Sequence, residues 1–245
     1  MSARPALARR ALAEFLGTGL LVTVVVGSGI AAQQLSADVG LQLLENSTAT
    51  VFGLAVLILL LGPVSGAHFN PVVSAADAIL GRRTGAGLQG RELWVYVVAQ
   101  LVGGVGGSVL ANLMFQVPTA ISTTERVTAG SLLGEVVATA GLVLLITGLT
   151  RAGQTLPVIA AAIGGYIGAA YWFTSSTSFA NPAVTIGRVF TDTFAGIAPT
   201  SVLPFLAAQV VGAAVGVALA VLLFTPLAQV APHSSADAAS KESFA

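Results

Sequence analysis

A chain of 245 residues that is 55% hydrophobic and only 8% charged, with a mean hydropathy of +0.90, is too apolar to be a water-soluble globular domain. Ten basic and ten acidic residues balance to zero, so net charge points to no polyanionic or polycationic partner. Cysteine is absent, which excludes disulfides, thiolate metal sites and thiol nucleophiles, and predicts insensitivity to thiol-reactive mercurials.

In chain order, a short segment, residues 1–10, carries Arg4, Arg9 and Arg10, and a first apolar span follows over about 11–32 with Glu14 near its start. That span is long enough to cross a bilayer, and no small-residue cleavage site follows it, so no cleavable signal is expected. A loop at 33–43 holds no base, and a second span at about 44–62 leads into Ser65-Gly66-Ala67-His68-Phe69-Asn70-Pro71-Val72. A short helical segment then runs to Leu80, followed by a basic loop, 81–92, with Arg82, Arg83 and Arg91. The third span covers about 93–115, closing a first repeat at 11–115, and a polar connection, 116–130, separates the halves.

The second half, 131–224, repeats the plan. Spans at 131–150 and 156–173 precede Ser178-Phe179-Ala180-Asn181-Pro182-Ala183-Val184, a helix to about Phe190, and a last span at 199–224. Residues 225–245 read as a polar tail. Six spans of about 20 residues suit a hydrocarbon core about 30 Å thick. The halves align at Glu14 with Glu135, Thr18 with Thr139, Gly27 with Gly148, Gln100 with Gln209, Gly103 with Gly212 and Gly107 with Gly216. Three spans is an odd number, so the second copy must lie inverted in the membrane. The N-terminus, the basic loop, Arg151 and Lys241 hold eight of the ten bases on one side of such a topology, with Arg126 and Arg188 on the other. The positive-inside rule places both termini in the cytoplasm.

Each Asn-Pro pair reads as a helix start. Asn is a good N-cap, and proline suits the first turn because its missing N–H would have had no partner there. Two such starts in matching places of inverted halves bring two positive dipole ends together inside the membrane, which describes a pore. With this repeat, these motifs and the paired glutamates, the chain resembles the aquaporin/glycerol-facilitator (major intrinsic protein) family over roughly 10–224. The resemblance implies an all-α membrane protein of six transmembrane helices plus two re-entrant half-helices. It also implies a homotetramer in the inner membrane with one pore per subunit. The first motif has Val72 where the family usually has alanine. In the second, Asn181-Pro182-Ala183, Val184 stands where the family usually has an arginine. The stretch from Phe179 to Ile197 looks like bacterial aquaglyceroporins associated with arsenic resistance.

Asn70 and Asn181 are expected to donate to a passing oxygen. Glu14 and Glu135 cost about 2.5–3.5 kcal/mol each within a span. By the resemblance they accept hydrogen bonds from the re-entrant loops, and the competing reading is a proton relay in a coupled transporter. His68 is either pore-lining, as the resemblance suggests, or a satisfied structural histidine. Gly103, Gly107, Gly164, Gly165, Gly168, Gly212 and Gly216 are expected to admit close helix approach. Counting back without gaps places the family's selectivity filter on Thr50, Ala169 (or Gly168), Ser178 and Val184, a wide constriction without a fixed cation. Arg188, four residues after Val184, either returns a charge to the outer vestibule or pairs with Asp192.

The expected activity is therefore passive permeation of small uncharged solutes, glycerol or neutral metalloid acids such as arsenite with some water, excluding ions and protons. The alternatives are a water-selective channel and a coupled secondary transporter, or a closed-pore structural protein. No nucleophile–base constellation, phosphate loop or metal cluster is present, so neither an enzyme nor a cofactor nor a nucleic-acid partner is expected; His233 lies in the tail.

Overall fold

The computed structural model describes residues 4–82, 85 and 87–224, and the basic-loop residue Arg83 and the 225–245 tail with His233 and Lys241 lie outside them. The elements are α1 (Leu7–Leu35), α2 (Val39–Ser65), α3 (Pro71–Gly81), α4 (Gly90–Met114), α5 (Ala129–Arg151), α6 (Leu156–Phe173), α7 (Pro182–Gly187) with a 3-10 turn (Arg188–Phe190), and α8 (Pro199–Leu223). Six of them are long and apolar enough to span a membrane, and α3 and α7 are the two short half-helices. No strand occurs among the described residues.

The first two spans begin earlier than hydropathy predicts. Helix α1 starts at Leu7 and takes in Arg10, whose guanidinium is buried against Glu92 of α4 and the Pro5 carbonyl. Helix α2 starts at Val39 because the Asp38 carboxylate accepts from Leu41 N at 2.9 Å, an N-cap that shortens the preceding loop.

The halves pack alike, with α1 chiefly on α4 and α5 chiefly on α8. Glycine makes both contacts possible. A Cβ on Gly212 would lie 2.6 Å from the Val136 carbonyl oxygen, and one on Gly216 2.7 Å from that of Ala140. Gly103 and Gly107 abut the Phe15 and Gly19 carbonyls of α1 in the same way. In a bilayer, where helix association relies on close packing, such backbone approach is a main source of attraction. Gly164 and Gly168 pack against Val51 of α2 as expected, whereas Gly165 faces open space.

Candidate functional site

Each half-helix is started by its asparagine. Asn70 has extended backbone (φ −154°, ψ 119°) and its Oδ1 accepts from Val72 N at 3.1 Å. Asn181 is nearly superposable (φ −156°, ψ 113°), its Oδ1 accepting from Ala183 N at 2.9 Å and Val184 N at 3.3 Å. The two caps are then tied crosswise. Asn70 Nδ2 donates to the Ala180 carbonyl and Asn181 Nδ2 to the Phe69 carbonyl, both at 2.8 Å. A carboxamide has two N–H donors, and no described residue takes the second from either one. Both asparagines line a central cavity of about 60 Å³, so the remaining donors are available there to an oxygen that passes.

The loops leading to these caps hold Ala67, Phe69, Thr177, Ser178 and Ala180 at positive φ, between 47° and 59°. Non-glycine residues adopt that region at a cost of about 1–3 kcal/mol each, so something must hold them. Glu14 Oε1 accepts from His68 N (3.0 Å) and Ser65 Oγ (2.6 Å), and Oε2 from Phe69 N (2.7 Å) and Gln100 Nε2 (2.8 Å). Glu135 does the same in the other half, with Phe179 N and Ala180 N at 2.8 Å and Gln209 Nε2 at 2.7 Å. Gln100 and Gln209 donate onward to Ser74 Oγ and Thr185 Oγ1 of the half-helices. Both glutamates are fully buried, and the geometry is that of a loop support. At His68, Nδ1 lies 3.1 Å from Ser74 Oγ and the ring meets Tyr96 edge-on, and the residue lines the cavity, so the two alternatives do not exclude each other.

Thr50, Ser178 and Val184 line the cavity. Ala169 does not: it is exposed on the outside of α6, and Gly168 is packed on Val51. The face of α6 that meets the cavity is Ile163, Ile167 and Tyr171, one residue per turn. The Tyr171 hydroxyl lies 3.2 Å from Thr50 Oγ1. An uninterrupted count of residues ignores helix phase, whereas the four-residue spacing of these three bulky side chains could have marked the stripe.

The expectation of a constriction without a fixed cation is also corrected. Arg188 is 3% exposed, lines the cavity, donates from Nε to the Ala195 carbonyl and places its guanidinium carbon 3.6 Å from the centre of the Phe179 ring. It does not pair with Asp192, which accepts from Thr123 N at 2.9 Å and is held below the usual carboxylate range by that bond. The helix has already become a 3-10 turn at Arg188 and Thr191 is extended, so the four-residue rule no longer puts the two side chains on one face.

Sequence reasoning used Arg126 only for charge balance. It stands beside Arg188 at a second cavity, of about 260 Å³, together with Asn46, Thr177 and Phe194. The available signal was that Arg126 is the single basic residue of the 116–130 connection.

The family model for the major intrinsic protein matches residues 1–177. The chain is 45% identical to aquaglyceroporin AqpS of Rhizobium meliloti, over 95% of this chain and 97% of that one. It is 29% identical to aquaporin AqpM of Methanothermobacter marburgensis (89% and 96% covered) and 37% identical to the glycerol uptake facilitator protein of Pseudomonas aeruginosa over shorter stretches (45% and 37%). Its fold matches the X-ray structure of the aquaglyceroporin from Plasmodium falciparum with a TM-score of 0.66 at 24% identity, covering 88% of this chain and 94% of that one.

Proposed function

We propose that this chain, which belongs to the major intrinsic protein family and is a channel for small neutral solutes rather than an enzyme, passes glycerol and neutral metalloid acids such as arsenous acid, with some water. In this reading it holds back ions and protons. The observation that carries the reading is the two-sided lining of the cavity. Leu21, Val25, Leu54, Ile58, Leu142, Ile146, Ile163 and Ile167 form apolar walls, and the two asparagines and their loops form a polar rail. A polyol has a carbon backbone to set against such walls and a row of hydroxyls to set against such a rail. A cation instead meets two half-helix N-termini and the Arg188 guanidinium.

A water-selective channel is the second reading, favoured by Tyr171 and Arg188, which narrow the place where small residues were expected. Coupled transport finds less support, because Glu14 and Glu135, the two fully buried acids among the described residues, are engaged by loop N–H groups. Stopped-flow light scattering on reconstituted vesicles separates the readings. Glycerol and arsenous acid flux, insensitive to proton and sodium gradients, is the expected result; water flux alone would transfer the assignment to the second reading.

The protein is a multi-pass integral membrane protein. We further propose the inner membrane, cytoplasmic termini and a homotetramer. The tetramer is supported by Ala161, Gly165 and Ala169, three small residues exposed at four-residue spacing on the outside of α6, a pattern that lets helices approach closely. Cross-linking of the purified protein in detergent tests it, with a four-chain species expected.

A further inference from the structure

Beyond Val184 the mouth of the pore holds two arginines and no acid to balance them. Among the described residues the only ion pairs are those of Arg4 and Arg10 with Glu92, at the far end of the molecule's first half. The acids of the neighbouring loops are engaged elsewhere, Asp192 with Thr123 and Ser122, and Glu125 with the hydroxyls of Thr200 and Ser201. Arg126 and Arg188 flank one aromatic ring, their guanidinium carbons 5.4 and 3.6 Å from the centre of Phe179, which bounds their separation at about 9 Å. Each is anchored by carbonyl oxygens, Arg126 by Gly196 and Phe194 and Arg188 by Ala195. That leaves both terminal nitrogens of Arg188 and one of Arg126 without a partner among the described residues, and both side chains line the 260 Å³ cavity. Ser178 Oγ, on a 4%-exposed residue that lines the central cavity with Arg188, is buried with no hydrogen-bond partner among the described residues.

We infer that this mouth is a binding site for one small free oxyanion, of carboxylate or phosphate type, held between Arg126 and Arg188. Two like charges kept this close and shielded from water repel each other and lack solvation, and an anion bridging them relieves both at once. The guanidinium fork matches the paired oxygens of a carboxylate or phosphate. Burial pushes Arg126 down to about 10, which still leaves it charged at neutral pH. The cavity volume leaves room for an anion of a few heavy atoms with some of its water. Thr177 also lines this cavity, and its hydroxyl has no partner among the described residues.

The test is calorimetric titration of inorganic phosphate, and separately acetate, into the purified full-length protein in uncharged detergent at fixed chloride concentration. Saturable binding of one anion per chain is expected, weakened at least tenfold by Arg126→Gln and by Arg188→Gln. Thr177→Asp places a carboxylate opposite both guanidiniums and is expected to abolish binding. Aspartate tolerates the positive φ of 59° at that position, so this variant decides the matter if either arginine variant does not fold. Arg91→Gln, which removes the same charge from an exposed site at the start of α4, is expected to bind as wild type does. No saturable binding to wild type, full binding by Thr177→Asp, or equal loss in Arg91→Gln would overturn the inference. The titration involves no transport, so its outcome is independent of which neutral solute permeates.

Discussion

Replacing Glu135 by glutamine tests whether the intramembrane acids are scaffold or relay. The carboxylate accepts three hydrogen bonds, two from Phe179 N and Ala180 N at 2.8 Å and one from Gln209 Nε2 at 2.7 Å. A carboxamide keeps one oxygen and turns the other acceptor into a donor, which then faces an N–H that has nowhere else to go. A hydrogen bond to a charged group contributes about 1.5–3 kcal/mol, and an orphaned buried donor costs about 1–3 kcal/mol more. The sum for Glu135→Gln is therefore about 2.5–6 kcal/mol, a large share of the roughly 5–15 kcal/mol typical of folded proteins. One of the residues released, Ala180, is held at positive φ next to the cap, so the loop relaxes and the Asn181 cap loses its position. The expected result is a thermal midpoint lowered by on the order of 10 °C in detergent, with solute flux lost in proportion to folded protein. Glu14→Gln should behave alike, since its carboxylate carries four such bonds. A Glu135→Gln protein as stable as wild type whose flux loses a dependence on the proton gradient would refute the scaffold argument and restore the relay.

Further outcomes follow from the same geometry. Val184→Arg adds a guanidinium one turn before Arg188 inside the cavity, and is expected to lower glycerol flux at least tenfold, about 1.4 kcal/mol in barrier, while water flux falls less in the same stopped-flow assay. Tyr171→Ala removes the ring opposite Thr50 and should admit larger polyols such as xylitol. Ala169→Leu should leave the glycerol-to-water ratio unchanged because that residue faces outward, and a change of ratio would reinstate Ala169 as a pore residue. Gly212→Ala forces a methyl to within 2.6 Å of the Val136 carbonyl and should cost about 1–3 kcal/mol by overpacking. Gly165→Ala meets nothing within 4 Å in its own chain and keeps a small side chain on the outer face of α6, so it should leave the thermal midpoint near that of wild type.

The inverted repeat was legible because it is written twice. Glutamate, glutamine and glycine recur at matching positions of the two halves, and the structure uses them in matching ways. Failures of the reading have specific causes. Arg10 and Asp38 extend α1 and α2 beyond their hydropathy limits, one through a tertiary pair with Glu92 and the other through a cap. Tyr171 was missed because counting from a motif through a loop that contains three positive-φ residues, Thr177, Ser178 and Ala180, carries no information about the phase of the helix before it. Arg188 and Arg126 were undervalued because their partners are backbone carbonyls and one aromatic ring, and nothing in local spacing announces a carbonyl.

The polarity of the pore is itself a consequence of how the loops are satisfied. Irregular backbone at membrane depth must find hydrogen bonds within the protein, and here Glu14, Glu135, Gln100 and Gln209 supply them from the outer side of each loop. That arrangement leaves the inner side of the loops, with the Asn70 and Asn181 amides, facing the cavity. One donor of each amide is spent crosswise on the opposite loop, so neither side chain can swing away to satisfy its remaining N–H elsewhere. The donors are preorganised, and a permeating hydroxyl encounters them without first displacing a protein partner. Asn181→Asp tests this directly. It removes the donor to the Phe69 carbonyl and puts a charge where the two half-helices meet, while keeping the cap acceptor for Ala183 N and Val184 N. A folded protein with impaired glycerol flux and a measurable cation conductance in planar bilayers is expected. Undiminished glycerol flux with no conductance would mean that selectivity resides at the Arg188 mouth alone and not at the crossed asparagines.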